Sequence, residues 1–287
     1  MERAIRTTRR GPLRWIRRIP TYVFLSLWAA FAIFCVLWII FTSFKTNREL
    51  FANVWALPTR FVFENYVKAW QVVRMGDYFI NSIIVVFASV ALILAISTPA
   101  SYVLSRFTFV GRKLVTNIFI AGMGVPTPLL FIPLFAIMSF LHLINTLPGL
   151  IVIYTSLSIP FTVYLLTGFF VTLPSELEES AVIDGASEFT IFSRVMMPLA
   201  TPGIITAAIF NFITLWKEYM LALVYISEPD RRPLSLGLYS LSNSMQYTGD
   251  WVGLYAGAVI VIVPTIILYI VLSERMIEGI TMGATKG

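Results

Sequence analysis

Leu173-Pro174-Ser175-Glu176-Leu177-Glu178-Glu179-Ser180-Ala181-Val182-Ile183-Asp184-Gly185-Ala186, continuing to Met197-Pro198, is a charged stretch inside an otherwise apolar sequence. It follows 62 residues, Leu114 to Ser175, that contain no Asp, Glu, Lys or Arg, and it then supplies five acids and one base, Arg194. Unpaired charges are costly in hydrocarbon, so the stretch reads as a solvated connection between membrane spans. Its local pattern is helix, turn, helix. Ser175 with Glu178 three residues later predicts a capping box, after Pro174 has closed the preceding span. Gly185, with no Cβ to clash, is placed to end the first helix in a left-handed turn. Ser187 with Glu188 predicts the cap of a second helix, and Pro198 and Pro202 predict its end. The small residues Ser180, Ala181, Gly185 and Ala186 would let another protein surface approach the backbone. The loop therefore reads as a docking element.

Composition agrees with a chain made mostly of spans. Apolar residues are 58% of 287 and mean hydropathy is +0.83, which indicates an all-α, polytopic membrane protein. The net charge of +6 does not point to nucleic acid, because seven of the 21 basic residues (Arg3, Arg6, Arg9, Arg10, Arg14, Arg17 and Arg18) sit in a leader, residues 1–20. That is a topology signal. The apolar run behind the leader has full span length and no small-residue cleavage site, so removal as a signal peptide is not expected. A single cysteine, Cys35, and a single histidine, His142, exclude an internal disulfide and a Cys- or His-built metal centre. His142 reads as a surface residue of an outer turn.

Six spans follow from the distribution of charge. The first is 22–44, 23 uncharged residues, enough for a core of about 30 Å. The polar segment 45–77 has apolar residues at 63, 66, 67 and 70, which predicts a short amphipathic helix at the membrane surface. The second span falls within 78–105, before a basic loop of Arg106, Arg112 and Lys113. As one helix the uncharged run 114–175 would be about 93 Å long at 1.5 Å per residue, so it must fold back. The turn His142-Leu143-Ile144-Asn145-Thr146-Leu147-Pro148-Gly149 divides it into spans three and four. Span five starts near Pro202, span six is 251–273, and 274–287 is a polar tail. Both termini then lie on one side. That side carries 13 Lys and Arg against 7 on the other, which places leader, loop 173–198 and tail in the cytoplasm.

The spacing Glu179-Ser180-Ala181, then Gly185, then Val195-Met196-Met197-Pro198 resembles the EAA loop of ABC importer permeases. Asp184-Gly185-Ala186 and Phe192 match the form seen in carbohydrate importers. The likeness to the shorter permease of maltose-type importers extends over roughly residues 20–287. It includes Glu64-Asn65-Tyr66 with Trp70, Asn81-Ser82, Asn145-Thr146 with Gly149-Leu150, Phe169-Phe170, Phe210-Asn211-Phe212 with Trp216 and Glu218, and the tail Gly279-Ile280-Thr281-Met282-Gly283-Ala284-Thr285-Lys286-Gly287. The resemblance implies the type I ABC importer permease fold in a bacterial inner membrane. It also implies a second homologous permease, two ATP-binding subunits, an external solute-binding protein and a sugar substrate. Glu178, Glu179, Ser180, Ala181, Asp184, Gly185, Ala186, Phe192 and Pro198 would then couple to the ATPases, and Gly279, Thr281, Gly283 and Lys286 would contact them through the tail. No cofactor is expected in this chain: it has no phosphate-binding glycine loop and no catalytic set, so ATP and Mg would belong to the partners and the chain is not expected to be an enzyme.

Lys217 and Glu218 are the one charged pair inside an expected span. They lie about 15 residues past Pro202, roughly 22 Å along the helix and toward its outer end. Residues at such positions line pathways, join helices or snorkel to the interface. Tyr154, Asn211 and Thr214 are further pathway candidates, although polar residues in spans also serve as inter-helix hydrogen bonds. An ABC permease for a non-sugar solute, or a carrier or channel working without ATP, is the alternative reading.

Overall fold

The computed structural model describes residues 13–284, with side chains from 19 to 272 except at 72, and these residues form helices joined by turns and loops, with no strand among them. Helix α1, Leu13–Ser43, carries the first span, Ile19–Ser43, whose first half is not covered by the rest of the described residues, while its end packs against the last long helix through Trp38 and Tyr255. Two short helices follow, α2 (Asn47–Ala52) and α3 (Glu64–Val67), the latter opening into a π turn, Lys68–Val72. This is the expected surface helix in shortened form: Tyr66 and Ala69 face inward, while Phe63 and Val67 face out. Thr46 and Glu49 form a reciprocal capping box at the start of α2.

Helix α4, Met75–Arg106, packs along α7, Leu147–Thr172. The uncharged run does fold back at 142–149, but its first limb is not one straight span. Helix α5 (Arg112–Met123) and a 3-10 turn leading into α6 (Phe131–Phe140) are bent by 101°. Pro126 and Pro128 lack the amide hydrogens an α-helix needs, and the residue before each proline prefers extended backbone. Among the described residues five helices are thus long and apolar enough to cross a membrane, six if the bent pair counts as one.

After the acidic loop, helices α8 (Glu176–Ile183) and α9 (Glu188–Thr190) lead through a π turn, Ile191–Met196, into α10, Met197–Trp216. Pro198 and Pro202 therefore do not end the second helix of the loop; it runs on as a 29-residue span, Glu188–Trp216. Pro198 is accommodated at the first turn of α10, where its absent N–H costs least, and the wider π turn lies just ahead of it. Short α11 (Met220–Tyr225), α12 (Leu234–Thr248) and α13 (Trp251–Ala284) complete the chain.

Two hydrophobic clusters hold the bundle. One, at the end away from the acidic loop, gathers Met75, Tyr78, Val85, Ile153, Tyr154, Trp216, Leu221, Tyr225 and Leu234. The other, beside the loop, gathers Tyr102, Leu166, Phe169, Phe170, Ile191, Met196 and Ala200. Close approach of α10 to α7 requires Gly203, because a Cβ there would lie 2.5 Å from Phe169 Cγ. At the far end the loops are tied together by side chains. Asn65 donates to the carbonyls of Ser43 and Lys45, both at 2.8 Å, and Asn81 donates to those of Asp230 and Arg232. Lys68 and Asn47 hold Asp250, and Asn145 Oδ1 accepts from the amides of Ser227 and Glu228. His142 is exposed in its turn.

Candidate functional site

The acidic loop is a helical hairpin whose inner face is bolted to the bundle. The Arg106 guanidinium, at the end of α4, lies 3.3 Å from Glu178 Oε2, and both side chains are mostly buried, 15% and 16% exposed. The same guanidinium donates to the Leu173 carbonyl at 2.6 Å, just past the end of α7. Ala181, Ala186 and Phe192 pack onto the second cluster, and the Phe192 ring lies 5.1 Å from that of Tyr102. Glu178 is thus engaged with Arg106, and the expected capping box does not form: Ser175 has helical backbone and its side chain makes no cap hydrogen bond.

The turn itself forms as the sequence predicts. Gly185 has φ +79°, and Ala186 N–H donates to Ala181 O while Gly185 N–H donates to Val182 O, both at 3.0 Å. This double closure is a Schellman motif, which requires a left-handed residue at the Gly185 position. Ser187 then caps α9 by accepting from the Thr190 amide. The outer face carries Glu179, Ser180, Asp184, Gly185 and Pro198, all exposed. Between these acids stand Val182, Ile183 and Phe189, the last two 84% and 76% exposed. Apolar knobs on a charged, solvated hairpin are costly unless a partner covers them.

The pathway candidates separate into two groups. Asn211 is buried and donates to Thr162 Oγ1 at 2.9 Å and to Ala207 O at 2.8 Å, so it joins α10 to α7. Tyr154 is buried and donates to Glu218 Oε2 at 2.6 Å. Lys217 and Glu218 are not within a regular helix, because α10 stops at Trp216. Glu218 instead accepts from the amides of Leu221 (2.7 Å) and Ala222 (3.3 Å), so its carboxylate caps α11. Thr214 and Lys217 are exposed. The backbone at Gly279, Thr281 and Gly283 is helical, and Lys286 lies outside the described residues.

Residues 91–273 match the family described as the binding-protein-dependent transport system inner membrane component. The chain belongs to that family. This permease is 36% identical over 93% of its length to the diacetylchitobiose uptake system permease protein NgcG of Streptomyces coelicolor, of which it covers 88%. It is 36% identical to the sulfoquinovosyl glycerol transport system permease protein SmoH of Agrobacterium fabrum, covering 89% of each chain. It is 30% identical to the trehalose transport system permease protein SugB of Mycobacterium tuberculosis, over 91% of its length and 95% of the relative's. Its fold matches a chain from the crystal structure of a bacterial ABC transporter involved in import of the acidic polysaccharide alginate. The TM-score is 0.78 at 24% identity, over 92% of the permease and 98% of that chain.

Sequence reading passed over two parts of the permease's loop. Arg106 reads only as part of a basic loop, because no local pattern links residue 106 to residue 178. The exposed Val182, Ile183 and Phe189 did carry a signal: large apolar residues inside an acidic, solvated segment.

Proposed function

We propose that this permease forms one half of the membrane pore of an ATP-driven, binding-protein-dependent importer of carbohydrate. A second homologous permease completes the pore, two ATP-binding subunits carry ATP and Mg, and an external solute-binding protein delivers the sugar. Leader, loop 173–198 and tail face the cytoplasm, in line with the bias of Lys and Arg. The observation that carries this reading is the hairpin, with an inner face clamped by Arg106 and an outer face offering Ile183 and Phe189 beside Glu179 and Asp184. That is the form of a lever: rigidly held by the bundle and sticky toward a partner. When the ATPases close, α8 is carried with them and the pore turns outward. The relatives that transport diacetylchitobiose, trehalose and sulfoquinovosyl glycerol support a sugar as the cargo.

The test is ATPase activity of the reconstituted complex with its binding protein, across mono-, di- and oligosaccharides and non-sugar solutes. Stimulation by one sugar class is expected. Stimulation only by a non-sugar solute would discard the carbohydrate reading and keep the coupling one. Ile183→Asp should strip the ATP-binding subunits from the purified permease, and their full retention would discard the docking role.

A further inference from the structure

Lys217 is exposed at the break between α10 and α11, and it makes no ion pair or hydrogen bond among the described residues. Other bases at that end are engaged: Lys45 with the Val54 carbonyl, Lys68 with Asp250, Arg74 with Asp77, and Arg231 with Glu228. Arg48 and Arg60 also lack partners, but they stand on the outer loop ahead of α4. Lys217 is deeper. Its neighbour Glu218 is bonded to Tyr154, seven residues into α7 and so roughly 10 Å along that helix. Glu218 cannot neutralise it, being already taken up by the Leu221 and Ala222 amides and by Tyr154. An exposed ammonium without a protein partner is free to meet water or an anion that comes and goes.

Thr206, Phe210 and Thr214 follow at intervals of four along one side of α10, and Lys217 stands at its C-terminal cap. Thr206 and Phe210 line a cavity of about 570 Å³ between α10, α7 and α5. Beyond Lys217, the Tyr219 ring stacks on Tyr239 of α12 at 5.3 Å and 25°, and each tyrosine remains about a third exposed (37% and 36%). Ser235 Oγ, donating to the Glu218 carbonyl, holds α12 against the break. A cation two residues from a stacked tyrosine pair that is a third exposed suits a sugar ring that bears a negative group: the ring rests on the aromatic face and the anion meets the ammonium.

We propose that Lys217, with Thr214 and the Tyr219–Tyr239 pair, is a selectivity site at the outer mouth of the pore for glycans carrying a carboxylate. The proposal rests on the carbohydrate-importer reading above. It is tested in proteoliposomes holding the complete complex and its own binding protein, by uptake of an oligosaccharide and of its uronate-containing counterpart. Lys217→Gln should lower the ratio of carboxylated to neutral uptake about ten-fold, the effect of losing one charged hydrogen bond. Lys217→Arg should hold the ratio near that of the native chain. An unchanged ratio in Lys217→Gln overturns the proposal. So does a loss that is equal for both sugars and follows the anionic lipid content of the vesicles, since Lys217 would then serve headgroups. Native complex importing only the neutral sugar overturns it as well, and native complex importing no sugar overturns the carbohydrate reading beneath it.

Discussion

Glu178→Ala isolates the clamp that holds the acidic hairpin. The charges lie 3.3 Å apart with both side chains largely out of water. Their attraction is about 5 kcal/mol at an effective dielectric near 20. Desolvation of the two ions offsets more than half of that. The remainder, about 2 kcal/mol, lies between the worth of an exposed ion pair and the cost of breaking a fully buried one. It corresponds to about a 30-fold change in how often α8 lifts from the bundle. Hydrogen–deuterium exchange followed by mass spectrometry reads this directly, because amides over 176–186 exchange when the hairpin detaches. Glu178→Ala should speed exchange there about 30-fold in the isolated permease, leaving α12 at its native rate. Arg106→Ala should do at least as much, since it also removes the donor to Leu173 O. The reversed pair Arg106→Glu with Glu178→Arg should recover part of the loss. Native exchange over 176–186 in both single variants would refute the clamp.

At Gly185, φ is +79° and an added Cβ would meet nothing within 4 Å, so Gly185→Val costs only backbone strain, about 1–2 kcal/mol. Membrane insertion should stay normal while retention of the ATP-binding subunits falls, and Gly185→Asn should restore part of it; a pull-down against total membrane content checks both. Glu218→Ala leaves the Leu221 and Ala222 amides and the buried Tyr154 hydroxyl without an acceptor. The cost should be about 2–4 kcal/mol, seen as a lowered Tm in detergent, with Tyr154→Phe losing less. At the far end, burial pushes the Asp250 carboxyl up, but hydrogen bonds from Lys68 and Asn47 and the Lys68 charge outweigh it, holding it below the ordinary 3.8. A depressed folded value means the clasp stabilises above about pH 4 and is lost as pH falls through that value. The stability gap between native chain and Asp250→Asn should therefore close below pH 4 in thermal melts.

Spans and loop were legible because they rest on local physics. An uncharged run too long for one helix must turn, and the polar cluster at 142–149 is where it does. Thr146 caps α7 there by accepting from Gly149 N–H at 3.0 Å, and a Cβ on Gly149 would lie 2.1 Å from the Leu143 carbonyl. Thr46 and Glu49 had the same spacing as Ser175 and Glu178, yet only the first pair closed a capping box. The difference is that Thr46 has the extended backbone a cap needs, whereas Ser175 is helical and Glu178 is drawn to Arg106. The 101° bend between α5 and α6 was written in Pro126 and Pro128 but hidden by uniform hydropathy, which measures length and not continuity. Lys217 and Glu218 looked like a charged pair inside a helix because the pattern of α10 runs smoothly to Trp216. The break after it is made by Glu218 capping a new helix, a choice that becomes favourable only with Tyr154 and Ser235 in place.

The clamp also decides what a pull on the hairpin can move. One guanidinium joins three elements: its own helix α4, the Leu173 carbonyl at the exit of α7, and Glu178 in α8. Arg112 adds a second tie at the same place, donating to the carbonyls of Leu104 and Ser105 and so fixing the start of α5 to the end of α4. On the other side of the turn there is no slack either, because α9 passes through the π turn into α10 without a loop. A displacement of α8 is therefore not absorbed by a flexible linker. It is shared by α4, α7 and α10, which the Tyr102–Phe170 and Phe169–Gly203 contacts already lock face to face. The segment with room to yield is the α5–α6 break, where two prolines have removed the backbone bonds that would resist bending. Motion at the hairpin should thus appear as movement of the α4–α7–α10 body against α6, with the cavity beside Phe210 changing shape between them.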